Sequence, residues 1–269
     1  MKENLFNNNS KIEINTNNKK ITVKKDKLII AGPCAIESYE QLLETAKFVK
    51  SQGANILRGG AYKPRTSPNS FQGLKKEGLE ILKAVKDEVG MAVITELMDV
   101  RDMDELYSIS DIIQIGSRNM QNFTLLSEVG KQNKPVMLKR GIASTITEWI
   151  GASEYIAIEG NSNIIMCERG IRTYNDYTRN TLDLSAVPAV KKLSHLPVVI
   201  DPSHAAGKWW MVDPLSKAAV AIGADGLIIE VHNDPANAWC DGQQTIKPDV
   251  YGNLLEELRV IAKAVGREI

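Results

Sequence analysis

Eight short apolar runs punctuate the chain, each closing on residues able to do chemistry. In order they are Leu28–Cys34, Asn55–Arg58, Ala92–Glu96, Ile112–Arg118, Pro135–Arg140, Asn163–Arg169, Pro197–His204 and Gly226–His232. Runs of this length without polar alternation read as strands buried on both faces. Stretches with helical spacing separate them. Ser38 and Gln41 stand at capping-box spacing before Leu42, Leu43, Ala46 and Val49, and Gly53 stops that helix. Residues 73–88 put Leu79, Leu82 and Val85 on one face. Asp99 caps 100–107 with Asp102 at its third position, Asn122 caps 123–131, and Ser144 or Thr145 opens a helix to 158. A further helix over 185–193 precedes the seventh run. Pro214 is expected in the first turn of 215–222, and 253–265 closes the chain.

An alternating series of about eight strand–helix units predicts a single (β/α)8 TIM barrel over 28–269. Its site would gather at the C-terminal ends of the strands. Upstream the pattern changes. Residues 1–10, rich in Asn, predict a disordered tail. Lys11–Asn15 and Lys20–Lys24 alternate apolar and polar around Asn17 and Asn18, which predicts a β-hairpin within 11–27. The hairpin is placed to plug the N-terminal end of the barrel.

Composition narrows the function classes. The chain has 269 residues and a formal net charge of +0, so nothing favours nucleic acid or an anionic membrane as partner. No apolar stretch reaches the ~18 residues of a membrane span, and no signal-peptide core is present. Cys34, Cys167 and Cys240 are an odd number, which is not a disulfide framework and points to a reducing cytoplasm.

The polar strand endings suggest a metal beside anion sites. Cys34, His204 and Glu230 each end a predicted strand, and Asp241 follows the last. Thiolate, imidazole and carboxylates together suit Mn2+, Fe2+, Co2+ or Zn2+. Taken singly, Cys34 also fits a small buried hydrophobe, His204 a turn residue and Asp241 an exposed loop acid. His232 competes as a ligand, two residues beyond Glu230 on the same strand face. Eight cations, Arg58, Lys63, Arg65, Arg118, Lys139, Arg140, Arg169 and Arg172, sit at strand ends or in the loops just after them. So many like charges at one mouth call for anions, and phosphates fit. The alternative is that some pair with Glu96, Asp201 or Glu168. Two loops, 59–73 and 168–184, are longer than a barrel needs, as substrate-binding loops are.

Several ordered motifs then become specific. They are Gly32–Ser38, Arg58–Pro68, Gly116–Asn119, Leu138–Gly141, Cys167–Gly170, Asp201–His204 and Glu230–His232. Together they resemble 3-deoxy-D-arabino-heptulosonate 7-phosphate (DAHP) synthase, in the type I subgroup also similar to 3-deoxy-D-manno-octulosonate 8-phosphate synthase. The resemblance runs from about Leu28 to the C-terminus. It implies condensation of phosphoenolpyruvate with erythrose 4-phosphate, the first step of the shikimate pathway to aromatic amino acids. It also implies one divalent metal on Cys34, His204, Glu230 and Asp241, Mn2+ foremost, with Fe2+, Co2+, Zn2+ or Cd2+ as alternatives. Arg58, Lys63, Arg118, Lys139 and Arg169 correspond to phosphoenolpyruvate ligands. Pro64, Arg65, Thr66 and Asp201 correspond to the erythrose 4-phosphate group. Lys63, Cys34, His204 and Glu96 form the expected catalytic set, with Lys63 exchanging a proton and Glu96 positioning a water.

The Lys63-Pro64-Arg65-Thr66 segment looks like the erythrose 4-phosphate enzyme, since octulosonate relatives typically have Lys-Ala-Asn-Arg there. Ile36 stands where Val is commoner. The competing readings are an octulosonate synthase using arabinose 5-phosphate and a non-catalytic sugar-phosphate-binding barrel. Many relatives carry a regulatory N-terminal domain. The expectation here is a bare catalytic barrel, a homodimer or homotetramer, with a separate chorismate mutase as a partner in trans. Cys240, beside Asp241, is a candidate disulfide partner for Cys34 in metal-free protein.

Overall fold

The computed structural model describes residues 12–15, 20–23 and 27–269. The expected tail over 1–10 and the turn at Asn17 and Asn18 lie outside the described residues. Strands β1 (Glu13–Asn15) and β2 (Lys20–Thr22) pair antiparallel, with Ile14 opposite Ile21. Eight parallel strands follow: β3 (Leu28–Gly32), β4 (Ile56–Arg58), β5 (Ala92–Glu96), β6 (Ile112–Ile115), β7 (Val136–Lys139), β8 (Ile164–Glu168), β9 (Val198–Ile200) and β10 (Gly226–Glu230). Each pairs with the next, and β10 closes on β3, from Gly226 opposite Leu28 to Glu230 opposite Gly32.

Burial on both faces explains the unbroken apolar runs. Inside the barrel, Leu28, Ile30, Ile56, Ala92, Ile112 and Ile228 form one cluster with Ile12, Ile14, Ile21 and Val23 of the β1–β2 segment. Those strand residues lie at or near the N-terminal ends, so β1 and β2 close that end of the barrel. The alternate residues Ile29, Leu57, Val93 and Ile113 face outward into the larger cluster with the helices.

The helices are α1 (Tyr39–Gln52), α2 (Lys76–Val89), α3 (Met103–Ile109), α4 (Phe123–Gly130), α5 (Ile146–Ile158), α6 (Ala186–Leu193), α7 (Pro202–Ala206), α8 (Trp209–Ala221) and α9 (Pro248–Ala264). Ser38 Oγ accepts from the Gln41 N–H at 3.1 Å, and Gly53 ends α1 at φ 111°. The Gln41 side chain accepts from the Glu37 N–H rather than from that of Ser38, so the box is not reciprocal. Thr145 and Glu148 do form a full box at the start of α5.

Several boundaries differ from the sequence pattern, and three of them have a local cause. Helix α2 starts at Lys76 because residues 73–75 tie back to the preceding loop: the Lys75 N–H donates to Ala61 O. Gly73, at φ +87°, is required there, since a Cβ would lie 2.1 Å from that same oxygen. Pro214 lies inside α8, not in its first turn. The helix starts five residues earlier, at Trp209, with Val212 buried before the proline, and Pro214 forgoes one helical hydrogen bond there. Helix α9 begins at Pro248, a favoured first position, five residues before its apolar periodicity shows. The short α7, entered directly from β9, carries no apolar period that would predict it. Among the described residues, no helix is long and apolar enough to cross a membrane.

Candidate active site

Four potential metal donors meet at the C-terminal mouth of the barrel. Cys34 follows β3 after a Gly-Pro turn. His204 sits in α7, where Asp201 caps the helix by accepting from the His204 N–H at 3.0 Å. Glu230 ends β10. Asp241 enters the turn at Gly242–Gln244 with a left-handed backbone, φ 53°. One ligand atom from each lies within 4.8 Å of every other. Cys34 Sγ is 3.4 Å from Asp241 Oδ2, and His204 Nε2 is 3.4 Å from Glu230 Oε1.

Their protonation suits a cation. Burial pushes the Glu230 carboxyl up, but the neighbouring His204 and Arg58 charges outweigh it and leave it below its ordinary value. Burial also opposes ionisation of Asp241, yet His204, Arg179 and Lys63 bring it down to about 2. Burial lowers His204 despite Asp201 and Glu230, so the imidazolium that helps those carboxyls ionise at low pH gives up its proton readily and becomes the neutral ring that binds metals. The hydrogen bond to Cys240 and burial push the Cys34 thiol up, while Lys63 pulls it down. A divalent cation among these donors would pull far harder. Glu230 Oε1 is buried without an aligned hydrogen bond, held only by the Arg58 charge at 3.1 Å and the His204 ring at 3.4 Å, so it keeps lone-pair capacity for a metal. The donors present fit a first-row divalent metal.

A cleft of about 270 Å³ opens beside this cluster. Arg58, Lys63, Arg118, Lys139 and Arg169 line it, with Pro64, Arg65 and Thr66 along one side. All five cations but Arg118 are buried. Arg58 Nη1 and Arg169 Nη1 have no hydrogen-bond partner, which leaves two buried donors for an anion. Lys63 Nζ is 2.9 Å from Cys34 Sγ. Burial would lower the Lys63 ammonium, but the cysteine pair more than reverses this and holds its proton firmly. Glu96, at the end of the strand beside β4, also lines it, and Gln114 Nε2 donates to its Oε2 at 3.3 Å. Gly116 allows that approach: a Cβ there would lie 2.1 Å from Glu96 Oε1.

Asp201 is fully buried beneath the lining rather than on it. Its Oδ2 lies 2.6 Å from Lys139 Nζ and 2.8 Å from His204 Nδ1, the latter without hydrogen-bond alignment. It therefore orients two site residues instead of facing the cleft.

Two of the eight candidate cations do not join the cleft. Arg140 turns away to Glu168 Oε2 at 2.9 Å and Asp183 Oδ2 at 2.8 Å, a buried structural pairing. Arg172 is exposed and does not line it. His232 is not among the four donors. Its Nε2 faces Glu37 Oε2 at 3.3 Å, and its Nδ1 accepts from the Asp234 N–H at 2.9 Å. Cys34 and Cys240 are free thiols with sulfurs 3.2 Å apart, and Arg65 Nη1 is 2.7 Å from Cys240 Sγ. The residue pattern does not single out Gln114, Ser117, Arg179 or Gln244. Two of them carry a signal: Ser117 by its place in the Gly116–Asn119 motif, and Arg179 by its place in the long loop after β8.

Comparison with known proteins agrees with this geometry. Residues 11–265 match the DAHP synthetase I family. Over 241 residues the chain is 53% identical to the phospho-2-dehydro-3-deoxyheptonate aldolase of Thermotoga maritima, covering 90% of this chain and 71% of that protein. A 2-dehydro-3-deoxyphosphooctonate aldolase of Geobacter sulfurreducens is 32% identical over 267 residues, 93% of this chain and 97% of that one. The crystal structure of the Thermotoga maritima phospho-2-dehydro-3-deoxyheptonate aldolase (DAHP synthase) matches with a TM-score of 0.91 at 50% identity, covering 96% of this chain and 76% of that chain. A truncated form of 3-deoxy-D-arabino-heptulosonate 7-phosphate synthase from the same organism matches at 0.87 and 46% identity, covering 96% and 95%.

Proposed function

Since the chain belongs to the DAHP synthetase I family, we propose how the residues of its barrel mouth divide the work of that family's reaction. The protein condenses phosphoenolpyruvate with erythrose 4-phosphate to give DAHP and phosphate, the first step of the shikimate pathway. The observation that carries this at the site is one cleft that joins a four-donor cluster to buried cations and the Lys63-Pro64-Arg65-Thr66 segment.

Arg58, Lys139 and Arg169 take the carboxylate and phosphate of phosphoenolpyruvate, with Arg118 closing from the exposed side. The two unpartnered Nη1 atoms of Arg58 and Arg169 support that role. Arg65 and Thr66 hold the phosphate of the aldose, and Pro64 fixes the segment between them and Lys63. Asp201 acts on the substrates through Lys139 and His204. Cys34, His204, Glu230 and Asp241 hold the metal, which we assign as Mn2+ on the strength of the two carboxylates. When bound, it supplies Lewis-acid polarisation of the aldehyde oxygen.

The carbon–carbon bond forms between C3 of phosphoenolpyruvate and the aldehyde carbon. Water adds at C2, and the hemiketal phosphate then breaks its C2–O bond and releases phosphate. Glu96, steadied by Gln114, positions that water, and Lys63, which holds its proton firmly at rest, gives it up as alkoxide character develops on the aldehyde oxygen. The cations bring two anions together against their repulsion, which supplies much of the rate.

Phosphate release measured with erythrose 4-phosphate and with arabinose 5-phosphate tests the substrate assignment. Turnover with erythrose 4-phosphate is expected. Turnover confined to arabinose 5-phosphate would overturn it in favour of the octulosonate reaction.

A further inference from the structure

Two side chains outside the expected set tie the metal donors together. Arg179 Nη1 donates to Gln244 Oε1 at 2.9 Å and stands 3.5 Å from Asp241 Oδ2. Gln244 is fully buried, and its Nε2 donates to Glu230 Oε2 at 2.6 Å. A carboxamide can accept from a guanidinium at one end while donating to a carboxylate at the other. Arg179 thus reaches two of the four donors, Asp241 directly and Glu230 through Gln244.

The same stretch of chain is pinned to the helix that carries a third donor. The Arg179 N–H donates to Ala206 O at 3.0 Å, and the Asn180 N–H to Ala205 O at 2.8 Å. Asn180 Nδ2 donates to His204 O at 3.2 Å. Asp241 adopts a left-handed backbone uncommon outside glycine, so its direction depends on what its neighbours hold in place.

We propose that Arg179, acting through Gln244 and directly on Asp241, is a positioning residue that fixes Glu230 and Asp241 and so sets the affinity of the site for its divalent metal. The proposal rests on the metal-site reading above. It also gives the long loop after β8 two roles: Arg169, at its start, serves the cleft, while Arg179, at its far end, lines the same cleft and braces the metal donors from there. Partners just outside a metal's own ligands orient those ligands, and their removal typically weakens binding by about 10- to 100-fold.

Mn2+ affinity is measured on purified enzyme without substrate, by competition with a chelator, for wild type, Arg179→Ala, Arg179→Lys and Gln244→Met. The expected result is binding weakened about ten-fold or more in Arg179→Ala and in Gln244→Met. Arg179→Lys recovers part of the loss, because it keeps a cation beside Asp241. At saturating Mn2+, the KM for erythrose 4-phosphate stays at the wild-type value. Thermal unfolding checks that each variant is folded, and Arg179→Lys decides the matter if the alanine variant is not. Wild-type Mn2+ affinity in the folded Arg179 variants overturns the proposal. So does a raised KM for erythrose 4-phosphate at unchanged Mn2+ affinity, which would make Arg179 a substrate contact. A wild-type protein that takes up no divalent cation would overturn the metal-site reading itself, and is distinguished by needing no variant.

Discussion

Lys63 Nζ lies 2.9 Å from Cys34 Sγ and 3.0 Å from the Cys34 carbonyl oxygen. A cation from the loop after β4 is thereby fixed to a donor at the end of β3. The metal cluster and the anion cleft share this contact, so the two halves of the site are built as one unit. Disturbing Cys34 should therefore disturb both.

Cys34→Ala is expected to lose about 10³-fold in kcat/KM even with added Mn2+, because Lewis-acid stabilisation is worth several kcal/mol. Equilibrium dialysis should show the lost metal directly. Full activity of the variant with metal present would remove Cys34 from the ligand set.

Gly116→Ala tests the role of Glu96. The new Cβ would meet Glu96 Oε1 at 2.1 Å, so the carboxylate must shift. A shift on the order of 1 Å at a reacting group costs about 100-fold in rate. Steady-state kinetics should show the fall in kcat with the KM for phosphoenolpyruvate little changed. Wild-type kcat would mean that the position of Glu96 does not matter to the reaction.

Arg140 and Arg169 should separate stability from binding. Arg140→Ala leaves Glu168 and Asp183 without their cation and should destabilise the fold by about 3 kcal/mol. Arg169→Ala removes a cleft donor and should lower kcat/KM for phosphoenolpyruvate by about 100-fold while the protein stays folded. Denaturant unfolding and steady-state kinetics on both variants check this, and the reverse pattern would contradict it.

Lys27 offers a pH-dependent test far from the site. Burial, with help from Arg267, pushes its ammonium down to about 8 from 10.5, against the pull of Asp225. Between those values the unfolded chain binds more protons than the folded one, so this group makes stability rise with pH. Lys27→Met should accordingly stabilise the protein at pH 7 by about 1 kcal/mol, allowing for the partial exposure of the group. The gain should fade as pH rises through the window to 10.5. Urea unfolding of both proteins at pH 7 and at the upper end of that window gives the comparison. No gain at pH 7 would contradict it.

The barrel is legible in the sequence because strands buried on both faces cannot alternate. Ile30 packs inside it while Ile29 packs on the helices, and both must be apolar. The quartet of metal donors is legible only through its motifs, since the separation of Cys34 from Asp241 along the chain carries no geometric information. Arg140 shows what proximity alone misses. Lys139 and Arg140 are consecutive at a strand end, so one side chain enters the mouth and the other leaves it for Glu168 and Asp183. Strict alternation could have separated them. Gln244 was beyond reach, because a glutamine in a loop carries no pattern until the fold brings Glu230 and Arg179 to its two ends.

The most direct test combines the protein with phosphoenolpyruvate, erythrose 4-phosphate and Mn2+, and follows phosphoenolpyruvate loss alongside phosphate release. Equal loss and release are expected, stopping when a chelator is added and returning with excess Mn2+. No consumption with any divalent metal, or consumption indifferent to the chelator, would contradict the account.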